Sequence, residues 1–342
     1  MAPRLKKVED QVVVITGASS GIGLVTARMA AARGARVLLA ARNERDLRRA
    51  VDGIRRDGGR ATYATADVAL PEDVARVADA AVGEYGRIDT WVNNAAVAVY
   101  GRLMDLTVTD MRRQFDVNYW GQVYGSRAAV PHLGREGGAL INVASAVADR
   151  AIPLQGNYCA TKHALKAFTD SLRMELEEEG APISVTLIKP GSIDTPLFDK
   201  ARTLLEMEPQ PVPPVYAPEL VAEAILHCAE HQVRDLVVSG MGKVLSLAGV
   251  VAPRLTDRFM ERSTFGAQMS DRPLTDSRPD NLYESLEHDG GERGRNWSGK
   301  VHERSFQTAA ALHPGRRAGL VAVLVAGGIL AMAGRRRTRI SR

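Results

Sequence analysis

The chain has 342 residues, which is enough for one large α/β domain with an appendage or for two modest domains. Hydrophobic residues make up 45% and charged residues 25%, as in globular proteins that bury a full core. The net charge is +5, but five arginines lie in the last eight residues, so the rest of the chain is neutral. A neutral body argues against a nucleic-acid-binding protein. The two cysteines, Cys159 and Cys228, fit no metal-site spacing and indicate reduced thiols in a cytoplasmic protein.

Short apolar runs alternate with helix-like stretches between residues 10 and 240. We expect strands at 12–15, 37–41, 61–66, 90–92, 140–143, 185–188 and 236–238, and helices at 23–33, 44–56, 71–85, 109–132, 158–179 and 218–231. This alternation predicts an α/β fold with a doubly wound, parallel, seven-stranded sheet. The strand runs are almost uniformly apolar, as expected when helices cover both faces. Ligands of such sheets bind at the carboxyl ends of the strands.

The first strand leads into the glycine-rich turn of the sequence VVVITGASSGIG, residues 12–23. Gly17 permits a tight turn after the strand. Gly21 and Gly23 let the backbone approach a pyrophosphate at the N-terminus of the following helix. An ordinary glycine-rich turn is the alternative, but a strand before the turn and a helix after it favour a dinucleotide site.

The end of the second strand bears on the choice of dinucleotide. Sites for NAD usually have a carboxylate there to bind the ribose 2′-hydroxyl, whereas this chain has Ala41 followed by Arg42. A guanidinium suits the 2′-phosphate of NADP, because its donors form a fork that matches a phosphate. The alternative is that Arg42 is a solvated surface residue. The sequence favours NADP(H) as the cofactor.

Three residues suggest acid–base chemistry near the middle of the chain. Tyr158 and Lys162 are four residues apart on an expected helix and share one face. An ammonium group stabilises a nearby phenolate and lowers the pKa of the tyrosine, which makes it a plausible proton donor and acceptor. Ser145 lies thirteen residues earlier, at the carboxyl end of a strand where a substrate is expected.

These motifs, in this order, resemble the short-chain dehydrogenase/reductase family in its single-domain Rossmann form. The resemblance runs from about residue 10 to residue 243 and rests on residues 16–23, Asp67-Val68, Asn93-Asn94-Ala95, Asn118, Ser145, Tyr158, Lys162 and Pro190-Gly191 leading to Thr195. One position departs from the family pattern, because Ala96 replaces a glycine. If that backbone required a positive φ, the alanine would cost roughly 1 kcal/mol.

The resemblance implies a role for each matching residue. Tyr158 would be the general acid in reduction and the base in oxidation, and Lys162 would bind the nicotinamide ribose. Ser145 would hold the substrate oxygen, and Asn118 would hold a water for proton relay. The implied cofactor contacts are Gly17, Ser19, Ser20, Gly21, Ile22, Gly23, Arg42, Asp67, Val68, Asn94, Ala95, Tyr158, Lys162, Pro190, Gly191, Ile193 and Thr195.

The composition of the chain changes after residue 245, which separates three further segments. After a catalytic domain at 1–245, we expect a polar, partly disordered linker at 246–317. The uncharged segment 318–334 would span about 26 Å as a helix and precedes a basic tail at 335–342. It is either a transmembrane anchor or a buried helix, and the polar linker before it favours an anchor that tethers a cytoplasmic catalytic domain to the membrane.

The sequence therefore predicts an NADP(H)-dependent oxidoreductase that transfers a hydride between nicotinamide and a carbonyl or alcohol. Apolar residues after Gly191 favour a lipophilic substrate, although they could equally pack the lid on the domain. By analogy with the family, helices 109–132 and 158–179 would form the interface of a homodimer or homotetramer. Two alternatives remain open: a non-redox epimerase or dehydratase of the same family, and a non-catalytic dinucleotide-sensing or scaffold protein at a membrane.

Overall fold

The computed structural model describes residues 3–239, 248–275 and 278–312. The strands of the described residues are, in chain order, β1 Val12–Thr16, β2 Arg36–Ala41, β3 Arg60–Thr65, β4 Thr90–Asn93, β5 Val99–Tyr100, β6 Gly138–Val143, β7 Ile183–Pro190, β8 Arg202–Thr203, β9 Met207–Pro209, β10 Val215–Tyr216, β11 Asp235–Val238, β12 Met269–Pro273 and β13 Val301–His302.

The α-helices of the described residues are α1 Gly21–Ala32, α2 Glu44–Arg56, α3 Pro71–Tyr85, α4 Val108–Phe115, α5 Gly121–Glu136, α6 Gly156–Glu178, α7 Leu197–Lys200, α8 Pro218–Glu230, α9 Pro253–Ala267 and α10 Phe306–Leu312. A π-helical turn, Asp116–Trp120, joins α4 to α5. The sequence predicts one helix over 109–132. The structure interrupts it at this turn and extends it to Glu136, past Pro131.

Seven of these strands form one parallel sheet in the order β3-β2-β1-β4-β6-β7-β11. The order reverses beside β1, because the chain crosses from β3 on one edge to β4 on the other side of β1. The predicted doubly wound parallel fold is confirmed. The helices that follow β1 and β4 pack on opposite faces of the sheet at this reversal, which is where a sheet of this kind forms its ligand crevice.

Alternate side chains of each strand pack on opposite faces of the sheet. Val13 and Ile15 belong to the apolar cluster under α1, α2 and α8, whereas Val14 belongs to the cluster under α3 and α5. This separation follows from the two-residue period of a strand. Because both faces of the central strands are buried, most positions of these strands carry apolar residues.

Residues 278–296, which we call the C-terminal strap, cross the carboxyl edge of the sheet beside β2. Leu282 of the strap is fully buried in the cluster under α3 and α5. Arg278 donates to the carbonyls of Phe198 and Ala201, and Gly294 N–H donates to Asp194. The composition of these residues predicts a linker. The strap is held mainly by hydrogen bonds and ion pairs, and contacts of this kind leave no apolar pattern in the sequence.

No helix among residues 3–239, 248–275 and 278–312 is long and apolar enough to cross a bilayer. The candidate anchor at 318–334 and the basic tail at 335–342 lie outside the described residues.

Candidate active site

A cavity of about 560 Å³ opens at the carboxyl ends of β1, β4, β6 and β7. Among the sequence-predicted site residues, the structure brings all but Gly23 and Asn118 to the wall of this cavity. The cavity has three regions: a glycine turn with the adenosine end beside it, a central cluster around Tyr158, and an apolar end beyond that cluster.

The glycine turn between β1 and α1 is a close-packed cradle. Gly17 has φ of +66°, and a Cβ there would lie 2.7 Å from the Cα of Ala95. A Cβ on Gly23 would lie 2.3 Å from the carbonyl oxygen of Gly17. Gly23 thus packs the helix against the turn rather than facing the cavity. No side chain caps α1, and a helix N-terminus without a side-chain cap is the kind that can bind a phosphate.

Tyr158 and Lys162 project from α6 towards the end of β6, where Ser145 lies. Lys162 is almost fully buried, and its Nζ donates to the carbonyl of Val143 at 3.0 Å and lies 5.6 Å from the centre of the Tyr158 ring. The Ser145 hydroxyl lies close enough to the Tyr158 hydroxyl to lower its pKa. The three side chains therefore converge on one point of the cavity wall.

Burial controls the protonation of this cluster. Loss of solvent raises the pKa of Tyr158 well above its ordinary value, and the nearby Ser145 hydroxyl lowers it in part. Burial also lowers the pKa of Lys162 to about 7. At neutral pH the phenol is protonated, which suits a group that donates a proton to a carbonyl oxygen.

Asn118 lies behind this cluster, in the π-helical turn, and is fully buried. Its side chain accepts from the N–H of Val97 at 2.8 Å and donates to the carbonyl of the same residue at 2.9 Å. It also donates to the Thr161 hydroxyl, beside Lys162 on α6. The amide thus ties the segment after β4 to the helix that carries Tyr158 and Lys162.

Two of the predicted adenosine contacts already have partners. Asp67 accepts from the Arg113 guanidinium at 2.5 Å and from the N–H of Ala69. Asn94 donates from its side chain to the carbonyl of Thr16 at 3.0 Å, so it holds the glycine turn to the end of β4. Val68 and Ala95 complete this part of the wall.

The substituted position Ala96 is not strained. Among the described non-glycine residues, positive φ angles occur at Leu154 and Ser239. Ala96 therefore adopts an ordinary backbone conformation, and the cost that the family pattern suggests does not arise. It lines the cavity next to Ala95.

The end of β7 and the segment after it form another part of the wall, which reaches the start of α1. Pro190, Gly191, Ile193 and Thr195 all face the cavity. A Cβ on Gly191 would lie 2.1 Å from the Ser239 hydroxyl, so a side chain here would displace that hydroxyl. Thr195 lies near Gly21, because a Cβ on that glycine would be 3.3 Å from the threonine Cβ.

Sequence reasoning missed several residues that the structure adds to the wall. Buried Lys200, at the end of α7, donates to the Ser20 hydroxyl at 2.8 Å. Asn281, Ser285 and Asp289 of the strap also line the cavity. No local signal marks them, because Asp289 reaches Ser19 across 270 residues of chain.

The far end of the cavity is mainly apolar, and Ser263 and Thr264 of α9 are polar residues that also line it. Phe259 and Ala267 of α9 face it together with side chains from the segments around α7 and β10. The apolar lining residues of this end are Val147, Ile152, Leu197, Phe198, Val212, Pro213, Pro214, Phe259 and Ala267.

Comparisons with known proteins match this chain to dehydrogenases and other oxidoreductases. A family model described as short chain dehydrogenase matches residues 11–205. The uncharacterized oxidoreductase YxnA of Bacillus subtilis (strain 168) is 48% identical over 341 residues, which cover 98% of this chain and 93% of that protein. The 11-beta-hydroxysteroid dehydrogenase A of Sesamum indicum is 38% identical over 56% of this chain and 54% of its own length.

A solved structure shows the same likeness. The alcohol dehydrogenase of the archaeon Thermococcus sibiricus, in complex with 5-hydroxy-NADP, superposes with a TM-score of 0.59 at 27% identity. The match covers 67% of this chain and 95% of that chain.

Proposed function

This chain belongs to the short-chain dehydrogenase family, and on that premise we propose that it is an NADP(H)-dependent oxidoreductase acting on a carbonyl or alcohol group. One observation carries the proposal. Tyr158, Ser145 and Lys162 converge on a cavity whose other wall is a glycine cradle at a helix N-terminus. A proton donor beside a dinucleotide cradle is the arrangement that hydride transfer to a carbonyl needs.

Side chains of this protein donate and accept the proton of the reaction. Bound nicotinamide dinucleotide supplies or accepts the hydride. In reduction, the hydroxyl of Tyr158 donates its proton to the substrate oxygen while the Ser145 hydroxyl holds that oxygen in place. In oxidation, the Tyr158 oxygen takes the proton from the alcohol. The Lys162 ammonium stabilises the phenolate that remains after donation, because an opposite charge nearby favours the charged form.

The residues present fit a dinucleotide. The glycine turn would hold the pyrophosphate, the segment 190–195 would border the nicotinamide, and Arg42 would hold the 2′-phosphate of NADP. Arg42 lies at the end of β2 and lines the cavity, and the preference for NADP rests on this guanidinium and on the absence of a carboxylate at Ala41. The solved relative in complex with an NADP analogue supports the same choice.

The substrate is proposed to be lipophilic. The apolar end of the cavity gives it a surface to bury, and few polar groups compete there. The relative from Sesamum indicum is named for a hydroxysteroid, which is a substrate of this kind. A hydrophobic C-terminal segment at 318–334 would hold the enzyme at a membrane, where such substrates partition, with the catalytic domain in the cytoplasm.

The test is turnover by the full chain, purified in mild detergent. NADPH oxidation is followed against apolar ketones and aldehydes, with NADH in parallel, and product formation is measured. We expect NADPH-dependent reduction that falls by at least about 10³-fold in Tyr158→Phe, with NADPH affinity unchanged. Faster turnover with NADH would contradict the choice of cofactor.

The same assay separates the two alternatives. A product that is altered without net oxidation of cofactor would show an epimerase or dehydratase. Tight dinucleotide binding without turnover of any substrate in either direction would favour a sensing role.

A further inference from the structure

The C-terminal strap supplies acceptors to the donors that line the adenosine end of the cavity. Arg42 donates to the carbonyls of Asn281 at 2.5 Å and Tyr283 at 2.9 Å. The next residue, Asn43, donates from its side chain to the carbonyl of Leu286 at 2.8 Å. The N–H of Gly21, the first residue of α1, donates to the carbonyl of Gly291 at 2.8 Å. The strap therefore engages the groups that would otherwise bind phosphate oxygens.

Asp289 is the charged group of this segment that lies deepest among those donors. Its side chain is 9% exposed. One carboxylate oxygen accepts from the Ser19 hydroxyl, and the other lies 3.5 Å from the Nζ of buried Lys200. Ser19 is in the glycine turn, and Asp289 itself lines the cavity. An anion therefore already lies between a hydroxyl and an ammonium group at the adenosine end.

The strap fixes this carboxylate in place. The N–H of Asp289 donates to a carboxylate oxygen of Asp46 at 2.5 Å. The two residues after it, Gly290 and Gly291, both have positive φ, near +88° and +80°. This turn returns the chain towards α1, where Glu292 forms an ion pair with Arg28. The backbone contact at Asp289 and the ion pair of Glu292 therefore hold the carboxylate in place without using its own oxygens.

We propose that Asp289 limits the preference of this site for NADP, because its carboxylate lies where the 2′-phosphate would bind and lowers the affinity for NADP relative to NAD. This inference rests on the proposed function, because it concerns how the same site selects its cofactor. A 2′-phosphate between Arg42 and Ser19 would meet the carboxylate that accepts from the Ser19 hydroxyl. Like charges at that separation repel, and an adenosine ribose with a free 2′-hydroxyl meets no such repulsion.

The test measures the affinities of the full chain for NADP⁺ and NAD⁺ by calorimetry. Asp289→Asn keeps the shape of the side chain and removes its charge. We expect this variant to bind NADP⁺ about tenfold more tightly or better, with NAD⁺ affinity unchanged within about twofold. The gain should shrink when the NaCl concentration is raised from 0.05 to 0.5 M, because salt screens the repulsion.

The matched control is Glu287→Gln, which removes the same charge from a strap residue whose side chain is 80% exposed and paired with Arg45. It should change neither affinity. If Asp289→Asn does not fold, Asp289→Ser carries the same expectation, and thermal unfolding identifies the folded variants.

Each other outcome overturns the proposal. Weaker NAD⁺ binding with NADP⁺ unchanged would make Asp289 a ligand of the ribose hydroxyls instead. Equal changes for both dinucleotides, or none, would give it only a structural role. If neither the wild type nor any variant binds a dinucleotide, the proposed function itself fails, and that result is distinct from an unchanged ratio.

Discussion

The amino group of Lys162 is fully buried. Burying its charged form lowers the free energy of unfolding by an amount that depends on pH. Its Nζ has one hydrogen-bond partner among the described residues, the carbonyl of Val143, and no carboxylate partner there. Desolvation therefore lowers its pKa to about 7, from 10.5 in solvent. The proposed mechanism needs Lys162 as an ammonium ion, and burial places the pKa of this group near neutral pH.

This cost predicts how stability changes with pH. Between pH 7 and 10.5 the unfolded chain keeps the Lys162 proton that the folded chain releases, so the free energy of unfolding rises with pH. The cost of burying the ammonium is fully present below pH 7 and absent above pH 10.5. Lys162→Met should therefore stabilise the protein most at pH 6. The gain in the free energy of unfolding over the wild type should shrink by up to about 1.4 kcal/mol per pH unit between pH 7 and pH 10.5.

Urea unfolding of the wild type and the variant at several pH values, without added dinucleotide, measures this difference. Lys166→Met, a partly exposed lysine on the same helix, is the control for loss of a surface charge. A stability difference that stays constant from pH 6 to pH 10 would show that burial does not shift this lysine.

At the residue scale, the sequence predicts a contact where chemistry and local spacing coincide. Tyr158 and Lys162 are four residues apart on a helix, so their meeting follows from helix geometry. The glycine turn follows from the strand before it and the helix after it. Lys200 and Asp289 could not be predicted in this way, because their contacts depend on tertiary folding between distant parts of the chain.

At the scale of elements, α5 shows how closely a helix can approach the sheet. Its Gly125 lies over β4, and a Cβ there would lie 1.9 Å from the Oδ1 of Asn93 and 2.9 Å from the Nε1 of Trp91. These two groups are buried and hydrogen-bonded to each other at 2.7 Å. The helix can therefore approach the polar pair only because it has no side chain at this position.

Two glycines of the same helix should respond in opposite ways to alanine. Gly125→Ala should destabilise the protein by roughly 3 kcal/mol, because the methyl group displaces a buried hydrogen-bonded pair. Gly134→Ala meets nothing within 4 Å and should be neutral or stabilising by up to about 1 kcal/mol, because alanine favours helix. Chemical denaturation of both variants tests this, and equal effects would contradict the close approach of α5.

The helical elements were predictable from periodicity, but their interruptions were not. The π-helical turn at Asp116–Trp120 places buried Asn118 against Val97 and Thr161. Nothing in the apolar pattern of 109–132 marks that turn, because it results from tertiary hydrogen bonds of one amide. The strap was missed for a related reason, since Leu282 is its one fully buried apolar side chain among the described residues.

At the scale of the whole molecule, one outer face stands out for its aromatic side chains. The aromatic face consists of Phe115, Tyr119, Trp120, Tyr124 and Phe168, from α4, the π-helical turn, α5 and α6. Trp120 is 44% exposed, and its ring stacks on Tyr124 at 6.0 Å between centres. These are the helices that the sequence predicts at a subunit interface, and aromatic residues are typical of interface centres.

We expect the full chain to be a dimer or tetramer at micromolar concentration. Trp120→Glu should shift it towards the monomer, because a carboxylate would then be buried at the interface. Leu70→Glu is the control, since Leu70 is also 44% exposed but lies before α3. Light scattering during gel filtration gives the mass. A monomeric wild type, or equal effects of the two variants, would contradict this interface.

The C-terminal strap has a consequence for the order in which the molecule is made. Its bonds to Ser19, Gly21 and Arg42 join residues 239 to 270 positions apart, so loop closure delays them relative to the strand pairings within the sheet. During synthesis the sheet and the glycine turn leave the ribosome well before residue 281. A growing chain therefore presents a dinucleotide cradle with its donors exposed, and the C-terminal strap covers it only after it has emerged in turn.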